Sequence, residues 1–214
     1  MARVYHDVSL TLSPSIVVYP GDSPLRITER FRMARGNMVN VSILEMSSHT
    51  GTHIDAPKHF LDEGATVHEL PLDHFLGKAK VLDLTGADAI GASDLARHAI
   101  ETGDRILLKT KGSAFLEEPQ FRADFAHLTP DGARHLADIG IRTLGIDYLS
   151  IDPFDSHEFP AHHTLLARGI VIIEGLSLGR VAAGEYEMVA LPLKIRGGNG
   201  SPVRVVLIED VSAA

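Results

Sequence analysis

The 214-residue chain contains no cysteine. That absence removes disulfides, thiolate nucleophiles and cysteine-ligated zinc sites together, and it accords with a reducing compartment. Long hydrophobic runs are missing as well. Although 44% of residues are hydrophobic, no apolar stretch approaches the roughly 20 residues that a membrane-spanning helix requires. Excess positive charge is the third absence. Lys and Arg number 20 against 28 Asp and Glu, for a formal net charge of −8, which disfavours nucleic acid and anionic membrane as main partners. The opening residues, Met-Ala-Arg-Val-Tyr-His-Asp, lack the pattern of a secretory signal, so a cytoplasmic protein is expected. The length suits one large domain with a substantial core, and there is no linker, repeat or low-complexity segment. The expectation is a single domain over residues 1–214.

The first third has strand-like composition over residues 3–12, 16–19, 25–33 and 40–47, with Tyr19-Pro20-Gly21-Asp22 as a turn. Farther along, strands and helices alternate. Strands are expected over 79–84, 105–110, 143–146, 169–173, 189–195 and 203–209. A short helix is expected over 93–100 with Ser93 as its N-cap. The clearest helix has Thr129 at the N-cap, Pro130 at its first position and Gly140 as its stop. Interleaved helices and apolar strands predict an α/β fold.

What the chain does have is histidine, 12 in all, and three of them fall in one run: His49-Thr-Gly-Thr-His53-Ile-Asp55-Ala-Pro-Lys-His59-Phe60. Imidazole and carboxylate are the usual ligands of a hydrolytic divalent metal. On a straight strand, His49 and His53 would stand roughly 13 Å apart, too far to share an ion comfortably. The chain must therefore bend; Gly51 permits this, and Pro57 argues against a long helix through the run. The pattern predicts a strand over 42–47 that ends in a structured loop or a short helical turn bearing the ligands. The bland alternative is chance clustering in a histidine-rich chain. Two later segments are candidates to complete such a site: the His162-His163 pair and Glu174, which ends an apolar strand. A carboxylate at the end of a buried strand is costly unless paired or metal-bound. Their ordinary readings are a surface histidine pair and a carboxylate emerging into solvent.

The motifs Tyr19-Pro-Gly-Asp22, His49-x-Gly-Thr-His53-x-Asp55-x-Pro-x-His59-Phe, Gly145-Ile-Asp147, His162-His163-x-Leu, the apolar strand to Glu174-Gly, and Ala190-Leu-Pro-Leu-Lys194 with the following Gly-Ser-Pro-Val-Arg204 run in this order over nearly the whole chain. Together they resemble the cyclase family of metal-dependent hydrolases, which includes bacterial kynurenine formamidases (arylformamidases) and isatin hydrolases. The resemblance implies an α/β domain of swivelling β/β/α character, homodimeric or homotetrameric. It implies a first metal on His49, His53 and Asp55, and a second on His162, with Asp55 and Glu174 bridging. His59 would be the proton donor and acceptor, and His163 would orient a ligand. The cofactors would be two divalent ions, Zn or Mn, activating water for attack on a small amide. The best single substrate would be an aryl formamide such as N-formylkynurenine, with an isatin-like lactam or another small amide or lactone as the alternative.

One departure stands out. The formamidases usually carry Trp where this chain has Tyr19, a position expected to line the pocket, which puts N-formylkynurenine specifically in question. Tyr19 would still offer an aromatic face with a polar tip. Phe60, Phe154 and Phe159 are further aromatic candidates, with core packing as their ordinary reading. A metal-stabilised binding protein on the same scaffold is the reading from another class; His59 separates the two, since a binding protein has no use for a proton carrier beside its ligands.

Overall fold

The computed structural model describes residues 2–211. In chain order its strands are β1 (Ala2–Asp7), β2 (Arg26–Phe31), β3 (Val41–Glu45), β4 (His53–Asp55), β5 (Leu76–Asp83), β6 (Ala89–Ile90), β7 (Arg105–Lys109), β8 (His127–Leu128), β9 (Thr143–Ile146), β10 (Val171–Glu174), β11 (Gly184–Val189), β12 (Gly200–Pro202) and β13 (Val206–Val211). The helices are α1 (Ala92–Leu95), α2 (Gly112–Phe115), α3 (Pro130–Ile139) and α4 (Pro160–Leu166). Nine strands form one sheet in the order β1-β13-β11-β5-β7-β9-β10-β4-β12. Its centre, β5-β7-β9-β10, is parallel, and both flanks are antiparallel. The expected mixed α/β architecture is what the chain adopts.

Successive strand residues point to opposite faces, and the core divides accordingly. Leu107, Val171, Ile173 and Ile54 join Phe75, Met188 and Leu207 on one side. Ile106, Leu108, Leu144 and Ile172 join Leu136 of α3 and Leu165 of α4 on the other. Burial of each such side chain is worth about 1.5–3 kcal/mol, so the central strands form a rigid platform. Helix α3 has the ends its sequence foretells. The Thr129 side chain accepts from the Gly132 N–H at 3.2 Å, Pro130 opens the helix, and Gly140 closes it at φ 78°.

Several boundaries differ from the sequence expectation. The first strand stops at Asp7 rather than reaching Leu12, and residues 16–19 form no strand. Helix α1 is a single turn capped at Gly91, not Ser93, because the Asp94 carboxylate accepts from the Gly91 N–H. The strand expected over 189–195 lies earlier, at Gly184–Val189, where it pairs with both β5 and β13. The ligand run is also different: it passes through a turn and then through a short strand, β4, in the sheet itself. A single 3-10 turn at Pro57–His59 follows, so the short helical turn expected there carries His59 alone.

Candidate metal centre

Strand register brings the first group together. In the β4–β10 pair, His53 lies opposite Glu174 and Asp55 opposite Ile172. Residues directly opposite share a face, so His53, Asp55 and Glu174 project to the same side, over which α4 packs. Ile54, between the two ligand candidates, points to the other side and is completely buried. His162 comes down from α4 onto this group.

His49 arrives through the bend at Gly51, whose φ of 69° is a conformation glycine adopts without strain. The bend brings the His49 and His53 ring centroids to 5.1 Å, well inside the separation a straight strand would impose. The neighbouring strand makes room. Gly200 pairs with Asp55, and a Cβ there would stand 2.4 Å from the His49 ring, so any side chain at 200 would displace His49.

Each buried imidazole is anchored through one nitrogen. His53 Nδ1 donates to the Gly51 carbonyl at 2.9 Å, leaving Nε2 3.5 Å from both Asp55 Oδ1 and Glu174 Oε2. His162 Nδ1 donates to Asp152 Oδ2 at 2.7 Å, leaving Nε2 3.2 Å from Glu174 Oε1 and 3.5 Å from Asp55 Oδ2. Asp152 also accepts the Ala161 and His162 backbone N–H groups, each at 3.0 Å. A carboxylate that holds one nitrogen of a histidine while the other faces inward is the usual support of a metal-binding imidazole. His49 Nδ1 lies 2.8 Å from Asp55 Oδ1, and its Nε2 lies 3.3 Å from Asn199 Oδ1.

Electrostatically the cluster is poised for a cation. Burial raises a carboxylate, yet His162 and His49 hold Asp55 well below its ordinary range. Burial likewise opposes charge on His53, but Glu174 and Asp55 overcome it and lift the imidazole to about 9. His162 is raised in the same way by Asp152, Asp55 and Glu174. Asp55 Oδ2 is buried and has no hydrogen-bond partner. An orphaned, ionised carboxylate oxygen ringed by inward-facing imidazole nitrogens fits a divalent ion, which would supply the missing partner. Two sets of donor atoms lie within 4.8 Å of one another, His53/Asp55/Glu174 and His49/Asp55/His59, with Asp55 common to both. His49 Nδ1 and His53 Nε2 both approach Asp55 Oδ1, at 2.8 and 3.5 Å, and Glu174 stands between His53 and His162.

His59 stacks on His49, with ring centroids 4.0 Å apart, and burial holds it below its ordinary value. His49, His53, His59, His162 and Glu174 line a cavity of about 230 Å³ whose remaining wall is mostly apolar, including Val17, Val18, Tyr19, Phe60, Leu149 and Phe159. Phe60 and Phe159 thus face the cavity rather than serving only as core. Phe60 also stacks on His162 at 4.6 Å. Phe154 is partly exposed and contacts Tyr19 from outside the cavity lining. Tyr19 sits where the turn predicts, with Asp22 N–H donating to the Tyr19 carbonyl.

His163 does not take the orienting position. It is exposed and meets the edge of Phe60 at 5.2 Å, because consecutive helix residues point in different directions; Asp152 anchors His162 instead. Asp152 and Asn199 were not singled out by the sequence. Asp152 lies too far ahead of Pro160 to be read as a helix cap from sequence; the fold brings its carboxylate to the start of α4.

The sequence profile of the Cyclase family matches residues 6–153. The chain belongs to the cyclase family. Among relatives of this cyclase-family chain, the kynurenine formamidase of Bacillus cereus is 40% identical over 201 residues, covering 94% of this chain and 95% of the relative. A solved structure described as a potential metal-dependent hydrolase with cyclase activity shares 38% identity at a TM-score of 0.87, covering 99% of this chain and all of the other. Isatin hydrolase A from Labrenzia aggregata superimposes with a TM-score of 0.84 at 26% identity, covering 96% and 93%. The expected family, fold and metal-dependent hydrolase character agree with these relatives.

Proposed function

We propose that this cyclase-family chain hydrolyses aryl formamides, with N-formylkynurenine as its best substrate, and that residues 1–214 act as one domain. The observation that carries the reading is the orphaned Asp55 Oδ2 beneath three histidines and Glu174 that line an apolar cavity of about 230 Å³, in a chain 40% identical to a kynurenine formamidase. His49, His53, Asp55, His162 and Glu174 would hold two divalent ions, Zn or Mn. When bound, such ions polarise the amide carbonyl and lower the pKa of coordinated water from about 15.7 toward 7.

The chain's own residues do the rest. His59 takes the proton that water loses on attacking the formyl carbon and passes it to the departing aryl nitrogen as the C–N bond breaks. Water and formamide thus become aryl amine and formic acid, which releases its proton to solvent as formate. Its depressed pKa keeps His59 neutral, and so able to accept a proton, through the neutral range. Phe60, Phe159 and Leu149 exclude water and receive the aryl ring, and Tyr19 offers a phenol at the cavity wall. Asp152 keeps the His162 tautomer fixed. The same groups would serve lactam opening, a reading favoured by Tyr19 at the position where formamidases carry Trp and by the isatin hydrolase likeness. The partner is a small molecule, and the assembly a homodimer or homotetramer in the cytoplasm. Among the described residues no helix is long and apolar enough to cross a membrane.

Steady-state hydrolysis of N-formylkynurenine beside isatin, after reconstitution with Zn or Mn, tests this. Efficient formamide turnover is expected. Turnover of isatin alone would move the chain to lactam chemistry, and silence on both with metal bound would favour a binding protein.

A further inference from the structure

The Tyr19-Pro20-Gly21-Asp22 turn brings two side chains to the candidate cavity, and hydrolysis calls on only one of them. Pro20 presets φ at the second turn position and Gly21 takes the third at φ 103°, as a type II turn requires. The Asp22 N–H donates to the Tyr19 carbonyl at 3.0 Å and closes the turn. Tyr19 and Asp22 both line the cavity.

Asp22 is a carboxylate without a task in the reaction. The other carboxylate of the lining, Glu174, is buried and held by His162 and by the Ile151 N–H. Asp22 belongs to neither group of metal-type donors. It is half-buried, and among the described residues its carboxylate accepts one long hydrogen bond, from the Ser47 hydroxyl at 3.5 Å. Among the described residues no lysine or arginine lines the cavity. The other polar groups of the wall are uncharged: Tyr19 offers a phenol, and Ser150 Oγ accepts from the Asp152 N–H at 3.2 Å. A carboxylate at a largely apolar space with no cation beside it is poorly compensated. A few placed polar groups in an apolar pocket are what fix a ligand's orientation and identity.

We propose that Asp22 receives an ammonium group carried by the substrate, and so selects aryl formamides with a cationic tail over neutral and anionic ones. The inference rests on the aryl formamide reading of this cavity and narrows it. N-formylkynurenine has the required chemistry: beside its formamide, the ring bears a short ketone chain that ends in an α-ammonium carboxylate. With the ring against Tyr19, the tail falls to Asp22, its neighbour on the turn, and the ammonium donates to the free carboxylate oxygen. The tail's own carboxylate, for which the cavity holds no cation, stays toward solvent. A ligand without the ammonium leaves Asp22 desolvated and unpaired, which is how a polar site rejects an analogue that lacks the matching group. Isatin is such a ligand, so Asp22 bears on the choice between formamide and lactam.

The test compares N-formylkynurenine with its deamino analogue, which keeps the formamide, the ketone and the carboxylate and lacks only the ammonium. The metal-loaded wild type should favour N-formylkynurenine by about tenfold or more in kcat/KM, mostly through KM, the worth of one charge-assisted hydrogen bond. In Asp22→Asn, which keeps an acceptor for Ser47, that preference should vanish. A second measurement depends on neither turnover nor a variant. Calorimetric binding of L-kynurenine, the product, and of deaminokynurenine to the metal-loaded wild type should show the same preference. No hydrolysis of either formamide, with the binding preference intact, would sink the formamidase reading and support the role of Asp22. Equal use or equal binding of each pair by the wild type, binding of neither product, or an unchanged preference in Asp22→Asn would overturn the proposal.

Discussion

Asp55→Asn, which keeps the side chain's volume and removes its charge, is expected to retain no tightly held divalent metal and to lose hydrolysis altogether. Loss of a group that merely supports a metal ligand costs about 10–100-fold in metal affinity or activity. Asp55 is the one carboxylate common to both donor groups, and it lies beside His49, His53 and His162. Its loss should therefore exceed that range. The fold should survive, because Ile54 and the strand pairings on either side are untouched. Metal analysis after dialysis, with circular dichroism as the folding control, checks the point. A variant that keeps stoichiometric metal would show that Asp55 is not the shared ligand.

His59→Ala should behave in the opposite manner with respect to metal. It should retain the ions and lose turnover, by about 10²–10⁴-fold in kcat, the usual range for a positioned proton-transfer group. The pH profile gives the sign. A proton acceptor works only when neutral, and burial lowers His59 from its ordinary value. Activity should then be present through the neutral range and fall as pH drops through a midpoint below about 6.5. That acid limb should be absent from the residual activity of the variant. Full activity in His59→Ala would remove the proton role.

Local chemistry explains what could be foreseen. Thr129-Pro130 and Gly140 bound their helix because capping, a preset φ and a left-handed stop are decided by the residue and its immediate neighbours. The metal-type run was visible because imidazole and carboxylate at close spacing have few other uses together, and the bend at Gly51 followed from reach alone. Other features depended on distant partners. That His53 would face Glu174 depends on β4 pairing with β10, a contact between segments more than a hundred residues apart. Asp152 became visible as the anchor of His162 only once α4 was in place. The resemblance set the ligand at His162 rather than His163, and it is the facing of α4 that buries the one and exposes the other. The strand expected over 189–195 ends at Val189, and Leu191, Leu193 and Ile195 beyond it are exposed.

The central claim is that hydrolysis depends on divalent metal gathered around Asp55. The most direct measurement is a titration of the metal-free chain with Zn or Mn, following bound metal and N-formylkynurenine hydrolysis in the same samples. The account predicts no turnover without metal, recovery in step with binding, and saturation at two ions per chain. Undiminished hydrolysis by the metal-free protein would contradict it.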